Sequence, residues 1–241
     1  MRVLVALCAA LLPQAVAASI CRDLTFDGVS VTTCEVSATE DLRLFHSGPN
    51  GPLRSFAAVN EALAAEGKTL GFAMNAGMYH DDRAPVGLYR EAGRDLSPLV
   101  TSDGPGNFGL LPNGVFCIGK RFAVVESRAY AAAPPACDDA TQSGPMLVIK
   151  GKLHPRFLPG SDSLYIRNGV GVSADGSRAV FAITNQPVNF HHFARLFRDG
   201  LGLPDALYFD GKISRLYAPA VGRNDIGFAL GPMVGTVVDK E

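Results

Sequence analysis

The 241-residue sequence has no tryptophan, few charged residues and only five cysteines. Charged residues make up 19% and hydrophobic residues 47%, a balance that argues against disorder and favours a compact globular protein. The net charge of −1 offers no general attraction to nucleic acid or to an anionic membrane, so neither is expected as a partner. The 26 glycines and 16 prolines favour many short strands and turns over a helical bundle.

The N-terminus has the pattern of a signal peptide. Arg2 supplies a positive charge, Val3 to Leu12 form an apolar stretch, and Ala15 to Ala18 form a small-residue cleavage site. The apolar stretch is too short to span a membrane, so no stable membrane insertion is expected. We therefore expect residues 1–18 to be removed, residues 19–241 to form one domain, and the mature protein to be periplasmic or secreted.

Four cysteines remain after removal of that segment: Cys21, Cys34, Cys117 and Cys137. An even number in an oxidising compartment predicts two disulfides. Three pairings are open, and the two local ones, Cys21–Cys34 with Cys117–Cys137, are favoured. No C-x-x-C or Cys/His pair has the spacing of a zinc site.

Hydrophobic periodicity predicts strands and two principal helices. Leu70–Met74 and Ala206–Phe209 have the pattern of buried strands. One helix follows the N-cap Ser55, and a second spans about Phe190–Asp199. Without a regular β-α-β alternation, the sequence predicts an α+β fold, with a mixed or antiparallel sheet covered by the two helices in a single domain.

Two dipeptides are typical of tight hairpin turns. Asn113-Gly114 is predicted to join strands at Phe108–Leu111 and Gly114–Ile118, and Asp175-Gly176 to join those on either side of it.

Several predicted strands end on polar residues that are candidates for catalysis or binding. The strand Ala206–Phe209 ends on Asp210-Gly211, and Leu70–Met74 ends on Asn75. A strand fixes the position of such a side chain, and a glycine lets the backbone turn or approach a ligand. Each residue also has a purely structural interpretation, because Asp and Asn often cap turns with their own side chains.

Four ordered segments resemble the phosphodiester glycosidase family, which includes the mannose 6-phosphate uncovering enzyme and secreted bacterial relatives. Asn75–Tyr79 is similar to the family's N-G-G-F-F element, and Arg83–Gly87 to its R-x-x-x-G. Ser143–Leu147 and Arg167–Gly171 are similar to G-P-x-L and R-T-A-x-G. Phe209–Ser214 stands where the family has N-L-D-G-G-G-S.

The resemblance implies a secreted hydrolase that cleaves the glycosidic bond of a sugar-1-phosphodiester. Asp210, Asn75 and Arg83 are expected to be catalytic: Asp210 as the carboxylate at the anomeric centre, Asn75 as a group that orients sugar hydroxyls or phosphate oxygens, and Arg83 together with Arg167 on the phosphate. The remaining residues expected to bind substrate are Thr141, Ser143, Gly144, Gly211, Ser214 and His192. Candidate partner acids or bases are Asp81, Asp82 and one of the adjacent His191 and His192.

The chain departs from the family pattern in the loop after Asp210. Asp-Gly-Gly-Gly-Ser is replaced by Asp210-Gly-Lys-Ile-Ser214, which loses two glycines and adds a cation and a β-branched residue. If the glycines let substrate approach the backbone, this pocket is narrower or differently charged.

Other functions remain open from the sequence. The first is a non-catalytic envelope protein that binds a glycan or phosphoglycan on the same scaffold. The second is an ordinary glycosidase or envelope-assembly factor that uses no phosphate. No cofactor is expected, although the sequence leaves open a divalent cation held by Asp carboxylates and phosphate.

Overall fold

The short apolar segments between glycine, proline and polar turns form β-strands. The structure, a computed structural model, describes residues 20–240, so the expected signal peptide lies outside the described residues. In chain order the strands are β1 (Ile20–Phe26), β2 (Val29–Ser37), β3 (Leu42–Phe45), β4 (Ser47–Gly48), β5 (Gly51–Pro52), β6 (Lys68–Asn75), β7 (Tyr89–Glu91), β8 (Arg94–Ser97), β9 (Gly114–Ile118), β10 (Ala123–Glu126), β11 (Asp139–Ser143), β12 (Met146–Ile149), β13 (Lys152–Leu153), β14 (Asn168–Val172), β15 (Arg178–Thr184), β16 (Asp205–Asp210), β17 (Leu216–Ala218), β18 (Arg223–Asn224) and β19 (Met233–Asp239).

The strands form three main sheets. Sheet 1 has seven strands in the order β1-β2-β15-β14-β16-β12-β13, sheet 2 has the order β10-β9-β11-β7-β8, and sheet 3 has the order β18-β17-β6-β19-β3. Strands β4 and β5 form a separate small hairpin. Every pairing between named strands of residues 20–240 is antiparallel. Of the two predicted alternatives, mixed or antiparallel, the structure therefore has the antiparallel one.

The described residues contain three α-helices: α1 (Phe56–Ala64), α2 (Ser127–Ala132) and α3 (Phe190–Arg195). Helix α1 begins at the predicted N-cap, where the Ser55 hydroxyl accepts a hydrogen bond from the Ala58 amide at 3.2 Å. Helix α3 is shorter than predicted because it continues as a π-helical turn over Leu196–Gly200. Helix α2 has no counterpart in the sequence prediction. None of the helices in residues 20–240 is long and apolar enough to cross a membrane.

The three sheets meet at four buried phenylalanine rings. Phe181 of sheet 1 lies 5.1 Å from Phe72 of sheet 3 and 5.7 Å from Phe116 of sheet 2, between ring centroids. Phe116 also contacts Phe209 of sheet 1 at 6.3 Å. Because Phe209 immediately precedes Asp210, its contacts with Phe116 and Phe181 hold the end of β16 in this shared core.

One hairpin prediction is correct and the other is wrong. Asp175-Gly176 turns the chain between β14 and β15 as predicted. Residues 108–111 are not a strand, and Gly114 simply begins β9. The Asn113 amide is buried and donates to the Phe108 carbonyl at 2.9 Å, so it closes a loop inside the protein rather than a surface hairpin.

Both predicted disulfides are present. Cys21 and Cys34 stand opposite each other in the β1–β2 register, and Cys117–Cys137 ties β9 to the segment before β11.

Replacing Cys117 and Cys137 together by Ala is expected to lower the free energy of unfolding by about 3 kcal/mol. The bond closes a loop with a sequence separation of 20, and its loss frees the unfolded chain. Urea unfolding of the double variant measures the loss. An unchanged midpoint would contradict a stabilising role for this bond.

Candidate functional site

Three strand ends with polar residues meet where sheets 1 and 3 join. Strand β6 ends at Asn75, β14 begins at Asn168, and β16 ends at Asp210. Asn168 stands directly opposite Asp210 in the β14–β16 register. The fold therefore brings together two of the predicted site residues, Asn75 and Asp210, and adds Asn168 between them.

The Asn75 and Asn168 amides form a buried pair across the two sheets. The Asn168 Nδ2 donates to the Asn75 backbone carbonyl and to the Asn75 Oδ1, both at 2.9 Å. The Asn75 Nδ2 donates in turn to the Asn168 Oδ1 at 3.2 Å. Both side chains are fully buried, so each hydrogen bond replaces water that the fold has excluded.

Asp210 is held at the edge of this pair. Its amide donates to the Asn168 Oδ1 at 3.1 Å, and its carboxylate Oδ1 accepts from the amides of Gly211 at 2.6 Å and Lys212 at 3.0 Å. Burial raises the pKa of the Asp210 carboxyl to about 6, although these amides and the Lys212 charge oppose the rise. The carboxylate is therefore mostly ionised at pH 7 and takes up a proton just below neutrality.

A cleft of about 490 Å³ opens above Asp210, a volume in the range of small-ligand sites. Among the described residues that line it, Asp210 is the one carboxylate and Lys212 the one cation. The lining residues are Met78, Asn107, Ser163, Tyr165, Tyr208, Asp210, Gly211 and Lys212.

Gly211 is packed against the tyrosine in the cleft wall. A Cβ at this position would overlap the Tyr208 hydroxyl and lie 3.1 Å from its Cζ. The absence of a side chain at Gly211 thus lets the loop pack directly against Tyr208 in the cleft wall. Tyr208 was not singled out from the sequence.

Gly211→Ala is expected to lower the free energy of unfolding by about 1–3 kcal/mol, because either the loop or Tyr208 must move. In the double variant Gly211→Ala/Tyr208→Phe the hydroxyl is gone, so part of the loss is expected to be recovered relative to Tyr208→Phe alone. Thermal denaturation of the four proteins measures this coupling. If Gly211→Ala were as stable as the wild type, the close approach would be wrong.

Arg83 lies near the cleft but does not line it. Its backbone has a left-handed conformation with φ of 78°, and its carbonyl contacts the His46 Nε2 at 2.9 Å. Its guanidinium lies 5.2 Å from the centre of the Tyr79 ring. Burial raises the pKa of the Tyr79 hydroxyl, as does the Asp210 charge, and the Arg83 and Arg215 charges oppose this rise. The Tyr79 hydroxyl therefore lies close enough to Asp210, Arg83 and Arg215 to interact with their charges.

Arg167 is inside the cleft wall, with none of its surface exposed. Its Nε donates to the Val188 carbonyl at 2.8 Å and its Nη2 to the Ser163 carbonyl at 2.9 Å. The guanidinium carbon lies 3.6 Å from the centre of the Phe190 ring, and Nη1 has no hydrogen-bond partner among the described residues. The structure therefore does not place this guanidinium on the surface of the cleft, where the sequence analysis expected it to meet phosphate.

Arg167 also lies beside the Tyr208 hydroxyl. Burial lowers the pKa of the Arg167 guanidinium, and the neighbouring Tyr208 opposes that shift. Burial raises the pKa of Tyr208, which keeps its hydroxyl protonated in the cleft wall.

Thr141, Ser143 and Gly144 are buried behind the site. The Thr141 hydroxyl donates to the Ala76 carbonyl at 2.9 Å, next to Asn75, and the Ser143 hydroxyl donates to the Phe209 carbonyl at 2.8 Å, next to Asp210. A Cβ at Gly144 would meet the Asn113 side chain at 2.5 Å. These residues hold the strand ends in place and do not line the cleft.

Ser214 closes the loop that begins at Asp210. Its hydroxyl lies 2.8 Å from the Asp210 carbonyl, 3.1 Å from the Ile166 carbonyl and 3.4 Å from the Asn168 Oδ1. The next amide, that of Arg215, donates to the Asn75 Oδ1 at 3.0 Å. The loop is thus fastened at both ends to the amide pair.

His192 lies on another face of the protein. Its amide donates to the N-cap Asn189, and its ring packs against Phe26 of β1 at 5.6 Å. Burial lowers the pKa of His192, and the charges of Asp27 and Arg195 act on it from the same neighbourhood. Its contacts are with the β1–β2 hairpin and not with the residues that hold Asp210.

The other candidate acids and bases also stay outside the cleft lining. Asp81 and Asp82 are exposed in the turn after β6, where the Asp82 Oδ1 accepts from the Ala84 amide. Residues 20–240 contain no group of three or more His, Cys, Asp or Glu residues arranged to hold a metal ion.

Sequence reasoning missed the residues contributed by remote segments. Asn168 was visible as the second residue of the Arg167–Gly171 segment, but its partner Asn75 is 93 positions away. Tyr165 and Ser163 line the cleft from a loop that carries no motif.

Comparison with known proteins gives the chain's relationships. The sequence model of the family described as phosphodiester glycosidase matches residues 68–228. An uncharacterized protein of Escherichia coli K12, YigE, is 36% identical over 183 residues, which is 74% of this chain and 70% of that protein.

Two solved structures share the fold. One is the catalytic domain of zebrafish N-acetylglucosamine-1-phosphodiester alpha-N-acetylglucosaminidase auto-inhibited by its pro-peptide, with a TM-score of 0.62 and 14% identity over 90% of this chain and 81% of that one. The other is a hypothetical protein from Synechocystis, with a TM-score of 0.58 and 13% identity over 91% of this chain and 62% of that one. The family match covers most of the chain and includes both Asn75 and Asp210, so the protein belongs to the phosphodiester glycosidase family.

Proposed function

We propose that this protein hydrolyses the bond between the anomeric carbon of a sugar and a phosphodiester, with Asp210 as the carboxylate at the anomeric centre. The observation that carries the proposal is the position of Asp210, the one carboxylate among the described cleft-lining residues, fixed by the Asn168 amide and two loop amides. The family match over residues 68–228 supports the reaction class.

Cleavage at an anomeric carbon builds positive charge on the sugar ring, and a nearby carboxylate stabilises or attacks it. The hydrogen bonds from the Gly211 and Lys212 amides support this role, since they set the orientation of the Asp210 carboxylate before substrate arrives. A pKa of about 6 leaves it ionised at neutral pH. The Asn75–Asn168 pair holds the backbone of Asp210 through the Asp210 amide, and the Gly211 and Lys212 amides hold its carboxylate.

The leaving group is a phosphate monoester, a much weaker base than a sugar alkoxide. Its departure requires less protonation and more neutralisation of charge. We assign Arg83 to this side of the site, because its guanidinium forms no ion pair with any described residue and lies on the Tyr79 ring. Arg167, enclosed in the wall, is assigned to hold Tyr208 and the Ser163 carbonyl in position.

Export is part of the proposal. Two disulfides fit an oxidising compartment such as the periplasm or the extracellular space. Removal of residues 1–18 as a signal peptide, and a mature domain from residue 19 onwards, are the corresponding expectations.

The test is a hydrolysis screen with the purified mature protein. Its substrates are the methyl phosphodiesters of glucose 1-phosphate, mannose 1-phosphate and N-acetylglucosamine 1-phosphate in both anomeric forms, each matched with the neutral phenyl glycoside of the same sugar. Release of free sugar from a diester is the expected result. Binding of the diesters without any release of sugar would instead favour the non-catalytic phosphoglycan-binding protein.

A further inference from the structure

The loop that follows Asp210 places a lysine in the cleft. Lys212 is exposed, and it is the one cationic side chain among the described residues that line this cleft. Its backbone amide donates to the Asp210 Oδ1 at 3.0 Å, so its side chain leaves the backbone immediately beside the carboxylate. The Lys212 backbone is therefore held in place, and its flexible side chain extends the ammonium group into the space above Asp210.

Two of the other cations near the site, Arg167 and Arg215, are already engaged. The Arg167 guanidinium is fully buried, and the Arg215 guanidinium donates to the backbone carbonyls of Asp225 and Phe228 at 2.7–3.1 Å. Arg83 lies on the Tyr79 ring outside the cleft lining. Lys212 forms no ion pair with any residue in the described part of the chain, so its charge is available to a ligand.

The charge balance of the cleft favours an anionic ligand at this position. A phosphodiester bound beside the ionised Asp210 brings a second negative charge close to the first, and the two repel. A cation between them removes that repulsion, and a lysine ammonium binds phosphate as a compact point charge. The loop Asp210–Ser214 thus supplies the carboxylate for the sugar and a cation for the phosphate from adjacent positions.

We propose that Lys212 binds the anionic oxygen of the phosphodiester and makes this site selective for substrates whose aglycone is a phosphate ester. The inference rests on the proposed function and extends it to a residue that stands where the resembling family pattern has glycine. In this protein, recognition of the leaving group is built into the same loop as Asp210.

The test compares wild type with Lys212→Gln, Lys212→Arg and the control Lys120→Gln, an exposed lysine in the turn between β9 and β10. Lys212→Gln is expected to lower kcat/KM for the best methyl phosphodiester about 30-fold or more, mainly through KM, and to change hydrolysis of the neutral phenyl glycoside less than about 3-fold. Lys212→Arg is expected to keep most of the diester activity, and Lys120→Gln all of it. Equal losses on both substrates, or no loss on either, would overturn the proposal.

A binding measurement separates this inference from the proposed function. Titration calorimetry with the sugar 1-phosphates of the screen is expected to show binding that weakens about 30-fold in Lys212→Gln and that weakens more steeply with added NaCl in the wild type than in Lys212→Gln. If the wild type binds in this way but hydrolyses nothing, the proposed function fails and the assignment of Lys212 stands. If the wild type hydrolyses diesters and Lys212→Gln binds and acts equally well, the assignment fails alone. Absence of binding of every sugar 1-phosphate would also overturn it.

Discussion

Replacing Asp210 by Asn is expected to reduce kcat for a sugar phosphodiester by a factor of about 10³, the scale of losing a preorganised charge at the reacting centre. The variant keeps the shape of the side chain, and its amide oxygen still accepts from the amides of Gly211 and Lys212. What it loses is the negative charge that faces the anomeric carbon. Asp138→Asn, which changes an exposed carboxylate immediately before β11, is the matched control and is expected to retain full activity.

The pH profile gives the same prediction a second readout. Because the proposed mechanism uses the ionised form of Asp210, kcat/KM of the wild type is expected to rise with pH through an apparent pKa of about 6. The residual activity of Asp210→Asn is expected not to show this rise of kcat/KM with pH. A wild-type rate that falls as pH rises through 6 would instead assign Asp210 the role of a proton donor.

The raised pKa also predicts a stability effect with a definite sign. The pKa of Asp210 is near 3.8 in the unfolded chain and about 6 in the folded protein. The difference stabilises the folded protein fully below pH 3.8, where the group is protonated in both states, and this stabilisation is lost as pH rises through 6. The loss amounts to about 3 kcal/mol by pH 7.5. Urea unfolding is therefore expected to show Asp210→Asn gaining stability relative to the wild type between pH 4.5 and pH 7.5. A constant difference over that window would contradict the buried, ionised carboxylate.

Replacing Asn168 by Ala is expected to lower the free energy of unfolding by about 3–5 kcal/mol and to reduce activity. The substitution removes both donor contacts to Asn75 and leaves the Asp210 amide without its acceptor. Each buried polar group left without a partner costs about 1–3 kcal/mol. Asn224→Ala, at an exposed position in β18, is the matched control and is expected to change stability by less than about 0.5 kcal/mol.

A double-mutant cycle tests whether the two amides act as a unit. Asn75→Ala and Asn168→Ala both break the two hydrogen bonds between the side-chain amides, so the combined loss is expected to be smaller than the sum of the single losses. Urea unfolding of the four proteins gives the coupling energy. Additive losses, or an Asn168→Ala variant as stable as Asn224→Ala, would show that the pair does not join sheets 1 and 3.

The strand ends were predictable because they depend on local pattern. A run of four apolar residues ending on Asp-Gly predicts where β16 stops, and the same argument places Asn75 at the end of β6. What joins these ends is Asn168, and a contact across 93 positions leaves no local signal. The sequence therefore indicates two of the three strand ends but not the pairing that makes them one site.

Arg167 and Asn113 show how environment overrides residue type. An arginine in a motif is typical of phosphate binding, but here α3 and β16 enclose Arg167 between Phe190 and Tyr208. Asn113-Gly114 has the composition of a hairpin turn, yet the pairing of β9 with β10 and β11 draws Asn113 into the interior. In both cases the deciding partners are distant in sequence, and composition alone does not reveal them.

Hydrolysis by this protein is expected to break the bond between the anomeric carbon and oxygen, not a bond to phosphorus. Hydrolysis of the best methyl phosphodiester in ¹⁸O-labelled water, followed by mass spectrometry of the methyl phosphate released, tests it directly. Attack at the anomeric carbon beside Asp210 predicts that the new oxygen enters the sugar and that the methyl phosphate stays unlabelled. One ¹⁸O atom in the phosphate product would mean attack at phosphorus and would contradict the role of Asp210 as the carboxylate at the anomeric centre.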